Sequence, residues 1–182
     1  MNNAIGGVEL SSIAKGFETA DAMLKTAPVE LILSRTVCPG KYVALVAGGV
    51  AEVTASVNAG VAKAAHAHVD NFIIPNVHPG VFPALAGTVE PCGMDALGLI
   101  ECFSVSALIE AADAAAKTAE VTLLEIRLAM ALGGKAFVSL TGTVAAVEAA
   151  VGAGAKEAGK KGLLIERVVI PQPRPELLRE IL

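Results

Sequence analysis

AIGGVELSSIAKGFETADAMLKTAPVELILSR (Ala4–Arg35) recurs 92 positions later as ALGLIECFSVSALIEAADAAAKTAEVTLLEIR (Ala96–Arg127). Identical pairs include Gly6/Gly98, Glu9/Glu101, Glu18/Glu110, Asp21/Asp113, Lys25/Lys117, Thr26/Thr118 and Arg35/Arg127. A self-similarity of this length means that one supersecondary unit has been duplicated, and the copies must share a fold. The correspondence breaks at one loop, Val37–Lys41 in the first copy and Ala129–Lys135 in the second, where Cys38 stands against Met130. Where copies of a repeat diverge is where specific function concentrates.

Each copy reads strand, helix, strand, strand, helix, strand. The first strand is Ala4–Leu10, repeated as Ala96–Cys102. Ser11, Ser12 and Ser104 are helix N-cap candidates. The apolar stripe Ile13, Phe17, Ala20, Leu24, Ala27 advances by four and three residues, which predicts a helix, and Val105, Ile109, Ala112, Ala116, Ala119 repeat it. Pro28 stops the first copy's helix. Val- and Leu-rich runs predict strands at 29–37 and 42–47, then at 121–130 and 136–141. A second helix carries Val50, Val53, Val57, Val61, and again Val144, Val147, Val151, Ala155. The last strands, 69–74 and 163–170, both run into Ile-Pro, and Pro79 and Pro175 each open a short apolar tail.

This order, βαββαβ twice, predicts an α/β (α+β) chain of two tandem ferredoxin-like domains, each an antiparallel sheet with helices on one face. The expected division is residues 1–85, a linker at 86–95, and residues 96–182.

Composition narrows the function. The chain is 54% hydrophobic with a mean hydropathy of +0.63, yet it has no Trp and one Tyr. A net charge of −4 without a basic run argues against nucleic acid as a partner. The longest stretch free of Asp, Glu, Lys and Arg, 71–89, is broken by Pro75, Pro79 and Pro83, so no membrane span is expected. The N-terminus lacks the pattern of a signal peptide, and a cytoplasmic protein is the expectation. Apolar surface in excess of what a small core needs then points to burial against other subunits.

Several motifs have a plain structural reading. Gly154–Lys160 fits GxxxxGK by letter, but Lys161 follows it and it closes a helix ahead of a strand, the reverse of a phosphate loop. His66, His68 and Asp70 lie where a helix hands over to a strand, have no counterparts in the second copy, and read as a solvated turn. Glu9 and Glu101 are equivalent by the repeat, which favours structural hydrogen bonding over acid–base chemistry. No serine nucleophile with a histidine and an acid is visible. Cys92 falls in the linker and reads as a surface thiol, whereas Cys102 stands opposite Leu10 of the other copy and reads as a small buried hydrophobe. Cys38 differs, being at a strand–strand turn before Pro39 and Gly40. One thiolate cannot hold a metal cluster unless a symmetry axis gathers several copies.

The pattern E-x(8)-E-x-A-D-x(3)-K-T-A-x-V occurs at Glu9, Glu18, Ala20, Asp21, Lys25, Thr26, Ala27, Val29, and again at Glu101, Glu110, Ala112, Asp113, Lys117, Thr118, Ala119, Val121. In this the chain resembles bacterial microcompartment shell domains, twice over and across nearly its whole length. SIAKGFETADAMLK, TVCPGK and NVHPGV resemble, more narrowly, the tandem-domain shell proteins of propanediol-utilisation compartments. The resemblance implies a structural protein and not an enzyme, placed in a microcompartment shell within the cytoplasm. It implies a homotrimer forming a pseudohexameric tile, with unpermuted domains and other shell proteins as neighbours. The strand 2–strand 3 loops would line a central pore, which maps it to Cys38, Pro39 and Gly40 with Ala131, Leu132, Gly133 and Gly134. The family's edge lysine maps to Lys25 and Lys117. An arginine often found after Ile-Pro in the family is replaced by Asn76 and Gln172, which implies an altered tile edge.

The resemblance further implies one 4Fe–4S cluster per trimer, at the threefold axis. Three Cys38 thiolates would hold three irons and a non-protein ligand the fourth. Met130, a neutral and weaker sulfur, would not compete. Such a cluster would move electrons across the shell or be delivered to a redox enzyme inside or outside it. The alternatives are a plain tile whose pore passes small polar metabolites, a trigonal zinc site at the same thiols, and a ferredoxin-like small-molecule sensor.

Overall fold

The computed structural model describes residues 3–89, 95–130 and 132–178. Two compact units make up the chain. One gathers the residues up to Val77 together with Met130–Gly134, and the other gathers His78–Ala129 with the residues from Lys135 onward.

In the first unit the order is β1 (Ala4–Leu10), α1 (Ile13–Thr26), β2 (Glu30–Val37), β3 (Lys41–Gly48), α2 (Val50–Ala64) and β4 (His68–Pro75). The sheet runs β2-β3-β1-β4, antiparallel throughout. The second unit begins with a short helix, α3 (Val81–Ala86), and then repeats the plan: β5 (Ala96–Cys102), α4 (Val105–Thr118), β6 (Thr122–Arg127), β7 (Ala136–Gly142), α5 (Val144–Gly159), β8 (Leu164–Pro171) and α6 (Pro175–Leu178). Its sheet runs β6-β7-β5-β8. The predicted double βαββαβ is therefore what the chain adopts.

The local chemistry follows the sequence closely. Ser12 and Ser104 cap α1 and α4 by accepting from the amides of Lys15 and Ala107, which satisfies one orphan donor at each helix start. Strand alternation sends Ala4, Val8 and Leu10 of β1 and Tyr42, Ala44 and Val46 of β3 into the core beneath α1 and α2. Gly6 and Gly98 let the second helices come down on the strands. A Cβ on Gly6 would lie 2.7–2.8 Å from Val57 and Val53, and one on Gly98 2.6–2.8 Å from Val151 and Val147.

One expectation needs correction, and one burial pattern is new. The strand foreseen at 121–130 ends at Arg127, whose partner Phe137 is one residue from the start of β7 at Ala136, leaving nothing further to pair with. Ala129 then turns at φ 40°. The stripe that predicts α1 is helical as expected, but of Ile13, Phe17, Ala20 and Leu24 only Ala20 is buried. The buried residues there are Gly16, Thr19, Ala20 and Met23, whereas Ile13, Phe17 and Leu24 are 41%, 63% and 40% exposed. In α4 the matching Val105, Ile109 and Ala116 are buried. One stripe, conserved in character between the copies, is covered in one and open in the other.

Candidate functional site

The β2–β3 hairpin presents Cys38-Pro39-Gly40 at its tip. Val37 and Lys41 close the ladder beneath it. The turn passes through a cis Cys38–Pro39 bond and leaves through Gly40 at φ 76°, a backbone value glycine adopts without penalty. Cys38 is half-buried, and Pro39 and Gly40 are exposed. A Cβ on Gly40 would meet nothing within 4 Å, so the space beside Gly40 is open.

The hairpin base is anchored. Lys41 Nζ lies 2.8 Å from Glu9 Oε1, and the Glu9 side chain is 2% exposed. Lys135 makes the equivalent 3.0 Å contact to Glu101. The two glutamates are thus tethers for the hairpins, which is the structural role foreseen for them.

The loop after β6 supplies the other expected pore residues. Leu132 is half-buried, Gly133 is exposed, and both glycines have positive φ, 60° and 87°. Gly134 is buried in the first unit. A Cβ there would stand 3.0 Å from Pro39 Cδ and 3.6 Å from the Cys38 carbonyl oxygen. The structure therefore brings Cys38, Pro39 and Gly134 together, and the positive φ and close approach at Gly134 favour glycine there. Ala131 lies outside the described residues, as does Cys92.

Cys102 is unsuited to ligation. It is fully buried, and burial, helped by the Glu101 charge, pushes its thiol up to about 11. Among the described residues Cys38 is the one thiol with access to solvent. A donor set of one thiolate per chain does not fit an iron–sulfur cluster within a single molecule, but it fits where several hairpin tips converge.

The residues assigned to a tile edge are on the surface. Lys25 pairs with Asp21 at 2.6 Å and Lys117 with Asp113 at 2.6 Å. Asn76 and Gln172, both exposed, turn the chain out of its last strand at φ 54° and 47°. The histidine cluster resolves into a helix-to-strand turn in which His66 is exposed and His68 Nε2 lies 2.9 Å from Asn71 Oδ1. Gly154–Gly159 belongs to the end of α5.

A second surface was missed from the sequence. On the face of the second sheet away from its helices, Leu99, Glu101, Phe137, Glu166 and Val168 line an open cavity of about 270 Å³. The corresponding face of the first sheet, with Ile5, Glu9, Val43, Leu45 and Phe72, is 0–3% exposed. The signal in the sequence is the change of Gly7, Val43, Leu45 and Phe72 to Leu99, Phe137, Ser139 and Val168, which reads as ordinary core variation until burial is known.

Comparison with known proteins gives these features a family. The BMC domain matches residues 4–77 and 96–173. The chain is 42% identical over 181 residues to the bacterial microcompartment shell protein PduT of Citrobacter freundii, covering all of this chain and 98% of that one. EutM, a microcompartment shell protein of Salmonella typhimurium, is 43% identical over 84 residues, 46% of this chain and 85% of its own length. The crystal structure of a microcompartment protein from Desulfitobacterium hafniense superimposes with a TM-score of 0.91 at 53% identity, covering 97% of this chain and 98% of that one. One domain of this chain thus spans most of a whole relative, and two span another. The chain belongs to the BMC domain family of bacterial microcompartment shell proteins, with two unpermuted copies of the domain in tandem.

Proposed function

We propose that three copies of this chain close into a pseudohexameric shell tile whose centre is lined by the Cys38 and Gly134 loops. The observation that carries this is the mismatch of burial between the copies. The α1 stripe is open while the α4 stripe is covered, and the outer face of the second sheet is open while that of the first is covered. Each chain therefore presents one open helix face and one open sheet face, and the repeat makes each the counterpart of a surface that is already satisfied. Two such unlike patches on one molecule make a head-to-tail contact, which closes into a ring when the rotation permits. Phe17 of one chain would enter the Leu99–Phe137–Val168 cavity of the next. The tile would associate with other shell proteins through edges that include Lys25, Lys117, Asn76 and Gln172.

At the centre of that ring, three Cys38 thiolates would hold three irons of a 4Fe–4S cluster. Such a cluster supplies one-electron transfer at a potential set by its surroundings. The chain contributes an exposed hairpin tip tethered by Lys41–Glu9, a second loop without a competing thiol, and a buried Cys102 that stays out of the chemistry. This suits a relay of electrons across the shell, or delivery of the cluster to a redox enzyme at either side.

The test is an anaerobic preparation of wild type and Cys38→Ser, assayed for absorbance, iron and sulfide. Wild type is expected to be brown, with about four irons per trimer, and the serine variant colourless. Equal iron in both would sink the assignment to Cys38. An iron-free trimer would leave a plain metabolite-conducting tile, and bound zinc a trigonal thiolate site.

A further inference from the structure

We infer that the C-terminal segment from Arg174 to Leu178 docks on the α1–β2 surface of a second copy of the chain, with the Arg174 amide donating to Asp21. The inference rests on the ring proposed above and specifies one of its seams.

The second unit contains the template. After Asn76 the chain makes a turn in which the Val81 amide donates to the His78 carbonyl at 3.0 Å, and α3 then packs against β6 and α4. Val81 and Ala84 are 0% exposed there, and Leu123 and Leu124 of β6 are 3% and 1% exposed. The His78 amide donates to Asp113 Oδ1 at 2.7 Å, while Asp113 Oδ2 takes Lys117 at 2.6 Å. A buried carboxylate thereby receives both a backbone donor and an ammonium. Hydrogen bonds to a charged group of this kind are among the stronger ones.

Each part of this arrangement recurs 96 or 92 residues away, without its partner. Gln172 turns out of β8 as Asn76 does out of β4. The Leu177 amide donates to the Arg174 carbonyl at the same 3.0 Å, so the tail has the template's turn already formed. Asp21 keeps its Lys25 pair at 2.6 Å, but among the described residues no backbone amide reaches it. Leu177, the counterpart of Val81, is 41% exposed, and Leu31, the counterpart of Leu123, is also 41% exposed. Donor and acceptor, tail and seat, stand open on the same molecule. A partner chain supplies what each one lacks.

The experiment uses the full chain. Hydrogen–deuterium exchange of the peptide 173–178 is followed above and below the concentration at which the protein associates, and association constants are measured by sedimentation for wild type, Asp21→Ala and Leu177→Asp. Exchange in the tail is expected to slow at least about tenfold on association, and both variants to weaken association about tenfold or more, as loss of a buried charged hydrogen bond or a buried leucine would. Both residues are exposed in the single chain, so its circular dichroism should not change. A ring that forms with the tail exchanging as in the dissociated chain, and with unaltered constants in both variants, overturns the docking and leaves the ring standing. A protein that does not associate at any concentration overturns both.

Discussion

Glu18 is exposed, yet it lies between two ammonium groups, Lys15 at 2.7 Å and Lys63 at 2.6 Å. Their hydrogen bonds hold its carboxyl down to about 2. The folded value lies below the unfolded one, so the contribution to stability is present above the ordinary carboxylate range and is lost as pH falls through about 2. Lys63→Met is expected to raise the Glu18 pKa toward ordinary values, read from its carboxyl carbon in an NMR titration; an unmoved value would mean that the bridge to α2 is not populated. Cys102 shifts the other way, upward to about 11, through burial. In apo protein carrying Cys92→Ser, iodoacetamide at pH 8 should modify Cys38 and spare Cys102 until the protein is denatured, as mass spectrometry of the peptides would report. Labelling of both at similar rates in the native state would contradict the buried placement. The burial of Cys102 and the turn position of Cys38 were legible in the sequence, since a thiol between strand residues and a thiol before Pro-Gly differ in local chemistry. It did not anticipate the Glu18 bridge to Lys63, which joins residues 45 apart on two helices.

The copies also differ at the contact of the first helix with the third strand. In the first copy Gly16 faces Tyr42, and a Cβ at Gly16 would fall 2.2 Å from the ring's Cγ. In the second copy the same two positions hold Leu108 and Ala136, both fully buried. A large side chain has moved from strand to helix with the space conserved. Gly16→Leu alone is expected to cost about 1–3 kcal/mol or more from overpacking, and Tyr42→Ala about 3–5 kcal/mol from the cavity. The double variant should recover part of the loss, with a coupling of about 0.5–3 kcal/mol, measured by urea unfolding at one protein concentration. Simple additivity would show that the helix and strand do not share this space. The repeat made the elements themselves legible: β1 and β5 span the Ala4–Leu10 and Ala96–Cys102 expected of them. Helix faces were less legible. The α1 core side is made of Gly16, Thr19, Ala20 and Met23, three of them too small to stand out in a hydrophobic pattern, while Ile13, Phe17 and Leu24, which do stand out, are 40–63% exposed.

At the scale of the whole molecule, that open stripe is the most informative surface. Phe17 is 63% exposed, and the cavity proposed to receive it carries Glu101 and Glu166 beside Leu99, Phe137 and Val168, with Arg167 at its margin. The duplication was legible from the start, but whether a given apolar residue belongs to the chain's own core or to a neighbour cannot be read from one linear pattern, because both uses demand the same side chains. The charge around the cavity makes the two separable by experiment. Wild type should sediment as a trimer of about 55 kDa, three times the 18.4 kDa chain. Phe17→Asp removes the anchor and brings a carboxylate toward Glu166 and toward a Glu101 already paired with Lys135, and should leave a folded single chain at micromolar concentration. Phe17→Lys removes the same ring but offers a stem that can lie along the apolar wall and an ammonium for the glutamates. Its association should fall between the other two. If Phe17 lay on a merely solvated face, neither substitution would change the mass; if it met a cavity of another character, lysine would be no better than aspartate. The order wild type, lysine, aspartate in sedimentation equilibrium is what a seat built from Leu99, Phe137 and Val168 and rimmed by two glutamates requires.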